Sequence, residues 1–200
     1  DMRERTLAFV REKIVPFEND ARNGQYRVED SLREEMVGLA EAGGLLSPHA
    51  PREYGGLGLD HREMAVIFEA AGWSPLGPLA LNIQAPDEGN VNLITKVGTP
   101  AQKNRWLPGI VSGRIRTVFS MTETATDGAG SDPSRLQTEA RAVDGGYEIS
   151  GRKYMISGVV GAALNIVMAR TFDRAGADIG ASMFLTDAKD PAFRIDRMLE

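Results

Sequence analysis

The sequence predicts an α+β protein: an N-terminal all-α helical domain over residues 1–115, then a small antiparallel β-barrel or sandwich domain over residues 116–200. In the first half, apolar residues recur every three or four positions, as on the buried face of an amphipathic helix. After about Gly113, short runs rich in Val, Ile, Thr, Tyr and Phe are separated by turns such as Asp144-Gly145-Gly146, which is typical of strands. The 200 residues are enough for two small domains.

The first two helices are predicted from their spacing and their end signals. One helical face carries Leu7, Val10, Ile14 and Phe17. The second helix is predicted to begin near Ser31, whose hydroxyl can form a capping box with Glu34. It is predicted to end at Gly43-Gly44, because glycine favours helix C-termini.

Three further helices complete the predicted helical domain. A third helix is predicted from the repeat of Met64, Ile67, Phe68 and Ala71. The acidic side chains of Asp87 and Glu88 favour the start of a fourth helix over residues 87–97, because they face the positive end of its dipole. Thr99 is typical of an N-cap, with Pro at the first helical position and Gln at the third. This fifth helix is predicted to end before Pro108.

The second half contains the alternation that predicts half-buried strands. The positions that alternate with polar neighbours are Thr138, Ala140, Ala142, Tyr147, Ile149, Phe193 and Ile195. Residues 166–169 and 183–185 are continuous apolar runs, which predict strands that are more fully buried. The sequence reaches Glu200 without a Gly or Pro stop signal, so we expect this domain to be incomplete at its C-terminal end.

Composition narrows the classes of function. The 23 basic and 28 acidic residues give a net charge of −5 without a basic block, which argues against nucleic acid as a partner. There is no cysteine, so disulfides and thiolate ligands are excluded. His49 and His61 are predicted to be solvated or capping rather than metal ligands, and we expect no metal site. The longest apolar run, residues 158–169, is shorter than the roughly 20 residues of a membrane-spanning helix.

Three stretches of the second half carry the functional prediction. They are Phe119-Ser120-Met121-Thr122-Glu123, Gly130-Ser131-Asp132 and Gly151-Arg152-Lys153-Tyr154-Met155-Ile156-Ser157. They resemble the flavin-contacting segments of the acyl-CoA dehydrogenase family. The resemblance extends along the chain in the same order, through residues 53–58, 85–90 and 98–103. No Gly-x-Gly-x-x-Gly or P-loop motif is present, which agrees with a flavin held without a Rossmann domain.

The resemblance implies an FAD cofactor between the helical and β domains. Phe119 would flank the ring, and the backbone of Met121 and Thr122, with the Thr122 hydroxyl, would meet it. Gly130 and Ser131 would serve the FAD or the CoA side of the pocket, and Ser131 is also the predicted substrate-binding residue. The segment 153–157 is expected to run as a strand behind the ring, with Met155 against the ring and Ser157 near its reactive edge.

Two features depart from the family pattern. Met155 stands where most members carry an aromatic residue packed on the ring; methionine is apolar and polarizable but not planar. The loop 124–129 is about three residues longer than the common pattern. Taken alone, these segments are also compatible with an ordinary strand-to-turn connection held by Asx and Ser turn bonds.

The reaction implied by the resemblance is α,β-desaturation of an acyl-CoA thioester in fatty acid metabolism. In this family the general base is a Glu from a C-terminal helical bundle, which these 200 residues do not include. We therefore assign no catalytic residue and expect the segment alone to be inactive; Glu123 is not assigned as the base.

The resemblance also implies partners and leaves alternatives open. It implies electron transfer to an electron-transferring flavoprotein or similar acceptor, a homodimer or homotetramer, and a bacterial cytoplasmic location rather than the mitochondrial matrix. The alternatives are an oxygen-reactive flavin oxidase or monooxygenase on the same fold, and a non-catalytic acyl-CoA-binding module.

Overall fold

The computed structural model describes residues 1–25, 27–124, 126 and 130–198. The chain divides into two compact units, residues 1–115 and a second unit that begins at Arg116. The α-helices of the first unit, among the described residues, are α1 (Met2–Phe9), α2 (Asp30–Ala42), α3 (His61–Ala71), α4 (Gly77–Ala80), α5 (Asp87–Val97) and α6 (Pro100–Val111). None of the helices in these ranges is long and apolar enough to cross a membrane.

The N-terminal helical segment changes type along its length. After α1 the chain continues as a π-helical turn, Val10–Ile14, and a 3-10 helix, Val15–Asn19. Pro16 lacks the N–H that an α-helix interior needs, which explains why the regular helix does not continue as predicted. Val10 and Ile14 are nonetheless fully buried in the core of this unit, so the predicted apolar face is retained.

The helix ends agree only partly with the prediction. Thr99 and Gln102 form the predicted capping box at the start of α6. The capping box predicted for Ser31 is absent: α2 begins one residue earlier, at Asp30, with no side-chain cap. The prediction that the fifth helix ends before Pro108 is wrong, since α6 continues to Val111.

Buried side chains explain why α6 can run past its proline. Ile110 and Val111 are almost completely buried, and their carbonyl groups accept hydrogen bonds from two buried side chains. Asn82 Nδ2 donates to Ile110 O at 2.8 Å and to Ser47 Oγ at 2.9 Å, while Ser47 Oγ donates to Val111 O at 2.6 Å. These bonds add side-chain donors at the C-terminal carbonyls of the helix, where Ile110 O also accepts from the Gly113 N–H at 2.9 Å.

The second unit contains a five-stranded mixed sheet. Its strands are β1 (Thr117–Ser120), β2 (Glu139–Val143), β3 (Gly146–Ser150), β4 (Leu164–Phe172) and β5 (Asp178–Asp187). Strand β4 is central. It pairs in antiparallel fashion with β5 along its whole length, and in parallel with both β1 and β2. Because β5 occupies one edge of β4, β1 and β2 follow each other along the opposite edge.

The predicted order of a helical domain followed by a β domain is confirmed, but the sheet is not the expected antiparallel barrel or sandwich. Among the described strands it is mixed and does not close. The direction of pairing has a simple cause: the chain leaves the edge of β4 after β1 and returns to the same edge as β2, running the same way. Side chains alternate identically in parallel and antiparallel strands, so the sequence pattern could not distinguish them.

The strand predicted around Phe193 and Ile195 does not form. Residues 191–198 contain a turn and irregular backbone, and the Phe193 N–H donates to Asp190 O at 2.9 Å. The Asp190 carboxylate also accepts from the N–H of Ala192 at 2.8 Å. An aspartate that bonds its own following backbone favours a turn over a strand.

Candidate functional site

Two of the segments singled out from the sequence are in direct contact in the second unit. The N–H of Tyr154 donates to the carbonyl of Thr122 at 2.8 Å. Lys153 Nζ donates to the carbonyl of Met121 at 3.0 Å, although the two residues are 32 positions apart. Lys153 Nζ also donates to Glu123 Oε1, so the stretch that follows β1 and the stretch that follows β3 are joined by one backbone and two side-chain hydrogen bonds.

Glu123 holds these segments to the start of β2. Its Oε1 accepts from Lys153 Nζ and from the Thr138 N–H, both at 2.9 Å, and its Oε2 accepts from the Gln137 N–H at 2.8 Å. Its own N–H donates to the carbonyl of Gly130 at 2.8 Å. The residue is only 3% exposed. Through its carboxylate and its backbone N–H, Glu123 thus links its own segment to Gly130, to residues 137–138 and to Lys153.

The Glu123 carboxylate is held in its ionised form. Burial by itself would raise the pKa of Glu123, but hydrogen bonds with Thr138, from the backbone of Gln137 and Thr138, and from Lys153 lower it to about 2. Burial lowers the pKa of Lys153, an effect that Glu123 partly offsets. The side chains of the pair are 10% and 2% exposed, so solvent screens their attraction weakly. A carboxylate so occupied is a poor proton acceptor.

Two backbone N–H groups at the centre of this cluster remain available. Within the described residues, no protein group accepts a hydrogen bond from the N–H of Met121 or Thr122, and none bonds the Thr122 hydroxyl. Both residues are partly exposed. Phe119 lies two residues earlier in β1, opposite Ile166 of β4, and is also partly exposed. The end of β1 therefore offers unused donors next to an aromatic side chain.

Three of the other predicted site residues, Ser131, Met155 and Ser157, lie outside this hydrogen-bonded cluster. Ser131 and Ser157 are exposed, and none of the hydrogen bonds among the described residues involves them or Met155. Gly130 has a φ of +59°, which glycine adopts without strain. Four residues of the longer 124–129 loop, 125 and 127–129, lie outside the described residues.

The expectation that residues 153–157 form a strand is wrong. Met155 has a φ of +55° and is 66% exposed, and the chain around it is a bend followed by a turn. The cause lies next to it, because the Tyr154 N–H is used by Thr122 and not by a strand ladder. The left-handed backbone projects Met155 from the surface.

Sequence reasoning did not identify the Lys153–Glu123 pair as part of the site. Both residues stood within the motifs, but their spacing of 30 positions has no local periodicity that would indicate a contact. The sequence did offer one signal for this contact: Glu123 and Lys153 carry opposite charges and stand in two motifs that were assigned to the same site. Glu123 is buried and its pKa is lowered, which makes it a poor candidate for a general base.

In the helical unit, the side chain of His49 lies in an unusual environment. His49 was predicted to be solvated or capping, but its two ring nitrogens are buried and have no partner within the described residues. Burial lowers the pKa of His49 to about 4. Its side chain borders a cavity of about 190 Å³ that Asp60 and Glu88 also line. In the described ranges, no three His, Cys, Asp or Glu side chains are grouped to hold a metal ion.

Comparison with known families covers both units. Residues 1–114 match the family model described as "Acyl-CoA dehydrogenase, N-terminal domain". Residues 118–200 match the model described as "Acyl-CoA dehydrogenase, middle domain". The two matches together leave only three residues of the chain, 115–117, uncovered.

Individual relatives agree with the family models. "Acyl-CoA dehydrogenase family member 10" of Mus musculus is 31% identical over 98% of this chain and 19% of its own length. The crystal structure of an acyl-CoA dehydrogenase from Geobacillus kaustophilus superposes with a TM-score of 0.73 at 27% identity, covering 94% of this chain and 47% of that one. An acyl-CoA dehydrogenase from Bacillus anthracis, complexed with FAD, gives a TM-score of 0.68 at 25% identity over 94% and 30%. The chain thus spans between a fifth and a half of the length of these proteins.

Proposed function

This chain belongs to the acyl-CoA dehydrogenase family, and on that premise we propose that it binds FAD and contributes to the α,β-desaturation of an acyl-CoA thioester. The proposal rests on the hydrogen bonds between the two segments that resemble flavin-contacting segments. These bonds join Lys153 to Met121 and Tyr154 to Thr122. The relative from Bacillus anthracis, which is complexed with FAD, supports the choice of cofactor.

The donors at the end of β1 fit a flavin edge chemically. The polar edge of an isoalloxazine ring presents carbonyl oxygens and ring nitrogens that accept hydrogen bonds. The N–H groups of Met121 and Thr122 and the Thr122 hydroxyl are the unused donors of this cluster, and buried or partly buried donors favour a partner. Phe119 and the exposed Met155 would supply apolar contact to the ring, while Gly130, Ser131 and Ser157 would bind the rest of the cofactor.

The protein's contribution is binding and orientation. Bound FAD would supply the hydride acceptor for the β-hydrogen of the substrate. The Glu123 carboxylate would fix the backbone of Met121 and Thr122 in the orientation that the donors need, because it anchors Lys153 and the start of β2. Its lowered pKa argues against proton abstraction by this residue, so we do not propose Glu123 as the general base.

The partners and boundaries follow from the same proposal. Ser131 would contact the acyl-CoA, electrons would pass to an electron-transferring flavoprotein or similar acceptor, and the protein would act as a homodimer or homotetramer in fatty acid metabolism. We propose residues 1–115 and 116–200 as the helical and β domains. By analogy with the Geobacillus and Bacillus relatives, we propose a bacterial cytoplasmic location.

The experiment is anaerobic reduction of the purified full-length protein after loading with FAD. Bleaching of the flavin absorbance by butyryl-, octanoyl- or palmitoyl-CoA, with formation of the enoyl-CoA, is the expected result. Thr122→Val removes the hydroxyl at nearly constant volume and should weaken FAD retention, whereas the exposed Thr126→Val serves as its control. A protein that retains no flavin even with excess FAD would contradict the proposal.

The same experiment separates the alternatives. Rapid reoxidation of the reduced flavin by oxygen would indicate an oxidase or monooxygenase on this fold. Tight binding of acyl-CoA without any flavin would indicate a non-catalytic binding module.

A further inference from the structure

The peptide group between Met121 and Thr122 has very different neighbours at its two ends. Its carbonyl oxygen accepts a hydrogen bond from the Lys153 ammonium at 3.0 Å. Its N–H, which belongs to Thr122, has no acceptor within the described residues. A charged donor therefore acts on one end of an amide whose other end is free for a ligand.

An amide responds as a unit to charge at its oxygen. Hydrogen bonds to ionised groups are roughly twice as strong as neutral ones, and donation to a carbonyl draws electron density away from the amide nitrogen. Neighbouring hydrogen bonds in such chains strengthen one another by about 10–30% each. The Lys153 side chain is 10% exposed, so water competes little for its charge, and the N–H of Thr122 becomes a stronger donor.

The Lys153 ammonium is fixed by the opposite charge of Glu123. Their nitrogen and oxygen are 2.9 Å apart, and Glu123 is itself held by the N–H groups of Gln137 and Thr138. The cation cannot move away from Met121 O without leaving this carboxylate without its partner. The Lys153–Glu123 ion pair is electrically neutral overall, but its ammonium group donates a hydrogen bond to the carbonyl oxygen of Met121.

We propose that Lys153 is a positioning residue that polarises the Met121–Thr122 peptide, strengthening the Thr122 N–H as a donor to the flavin and favouring the reduced flavin over the oxidised one. The inference rests on the proposed FAD site. The preference for the reduced form follows because reduction adds electron density to the ring edge, and a stronger donor stabilises the more electron-rich acceptor. The general consequence is tighter FAD binding and a higher midpoint potential.

The test compares Lys153→Met with Arg152→Gln in the FAD-loaded protein. Both changes remove one positive charge, but the Arg152 side chain is 73% exposed and its ion pair is with an exposed Asp196 at 3.4 Å. The FAD dissociation constant is measured by flavin fluorescence, and the midpoint potential by equilibration with a reference dye. Lys153→Met should raise the dissociation constant about tenfold, which is about 1.4 kcal/mol, and shift the potential to more negative values; Arg152→Gln should change neither.

Two further variants keep the test decisive if Lys153→Met leaves Glu123 as a buried, uncompensated charge and fails to fold. The double variant Lys153→Met/Glu123→Gln removes both charges together and should show the same shift in potential with a native circular dichroism spectrum. Lys153→Arg retains a cation and should restore most of the potential. A purely structural role would lower thermal stability but would leave the potential of the bound flavin unchanged.

The outcomes distinguish this inference from the proposed function. If the unaltered protein binds FAD and Lys153→Met or the folded double variant gives the same dissociation constant and potential as Arg152→Gln, the inference is wrong while the FAD site stands. If the unaltered protein binds no FAD, both fail together.

Discussion

Replacing Glu123 by Gln should destabilise the β unit at neutral pH far more than it does in acid. The amide keeps the shape of the side chain but offers only one acceptor oxygen. In the native structure both carboxylate oxygens accept, Oε1 from Lys153 and Thr138 and Oε2 from Gln137. The variant must therefore turn an NH₂ group toward a donor, and it leaves Lys153 without a buried counter-charge.

The magnitude follows from the pKa of Glu123. A drop from the ordinary value of 4.5 to about 2 corresponds to a stabilisation of about 3 kcal/mol at pH 7. Removing one partner of a buried ion pair costs a similar amount, about 3–5 kcal/mol. Because the folded-state pKa is lowered, this stability is complete above pH 4.5 and is lost as the pH falls toward 2. At pH 3 it should be only about 1 kcal/mol.

The assay must report on the β unit alone. Both tryptophans, Trp73 and Trp106, lie in the helical unit, so fluorescence would follow the wrong part of the chain. Urea-dependent hydrogen exchange, read by mass spectrometry on peptides covering β4, measures the free energy of unfolding where Glu123 acts. Glu148→Gln is the matched control, since it removes the same charge from an exposed position of the same sheet.

We expect a difference of about 3 kcal/mol between Glu123→Gln and Glu148→Gln at pH 7, closing to about 1 kcal/mol at pH 3. Equal stability of the two variants at pH 7 would refute the idea that the buried carboxylate links these segments. A difference that stays constant from pH 7 to pH 3 would show that the effect does not depend on its ionisation.

Three further predictions concern burial and packing. Since burial lowers the pKa of His49 to about 4, the protein should lose about 3 kcal/mol between pH 6.5 and pH 4 that His49→Gln does not lose, as measured by urea titration of tryptophan fluorescence. Asn82→Ala removes two buried hydrogen bonds and should lower stability by about 2–4 kcal/mol in the same titration. In Gly151→Ala the new Cβ would lie 2.6 Å from the Thr138 Cα, so β-unit stability should fall by at least about 2 kcal/mol by hydrogen exchange.

Each of these three changes has a control. His61→Gln replaces an exposed imidazole at the start of α3 and should not remove the loss of stability that is assigned to His49. Asn104→Ala alters an exposed amide in α6 and should change stability by less than about 0.5 kcal/mol. Gly146→Ala meets no atom within 4 Å and should be tolerated. If a control variant changes stability as much as the variant it is paired with, the loss of stability does not come from the contact that was removed or crowded.

Local patterns in the sequence were sufficient for most of the helical unit. The fourth predicted helix coincides with α5, and the Thr99 capping box forms as expected, because both depend on residues within one turn of each other. The errors at Ser31 and Pro108 arise where tertiary contacts outweigh local preference. The buried carbonyls of α6 are satisfied by Asn82 and Ser47, which are distant in sequence.

The sequence by itself determined the class of the protein, the order of its helical and β units, and the segments that resemble a flavin site, since these depend on composition, periodicity and motif order. The tertiary structure alone decided the parallel pairing of β1 and β2 with β4, the left-handed bend at Met155 and the ion pair of Glu123 with Lys153. The reason is physical: pairing direction and buried charge pairs depend on groups 30 or more positions apart being brought together, and chain folding, not local periodicity, determines which distant groups meet.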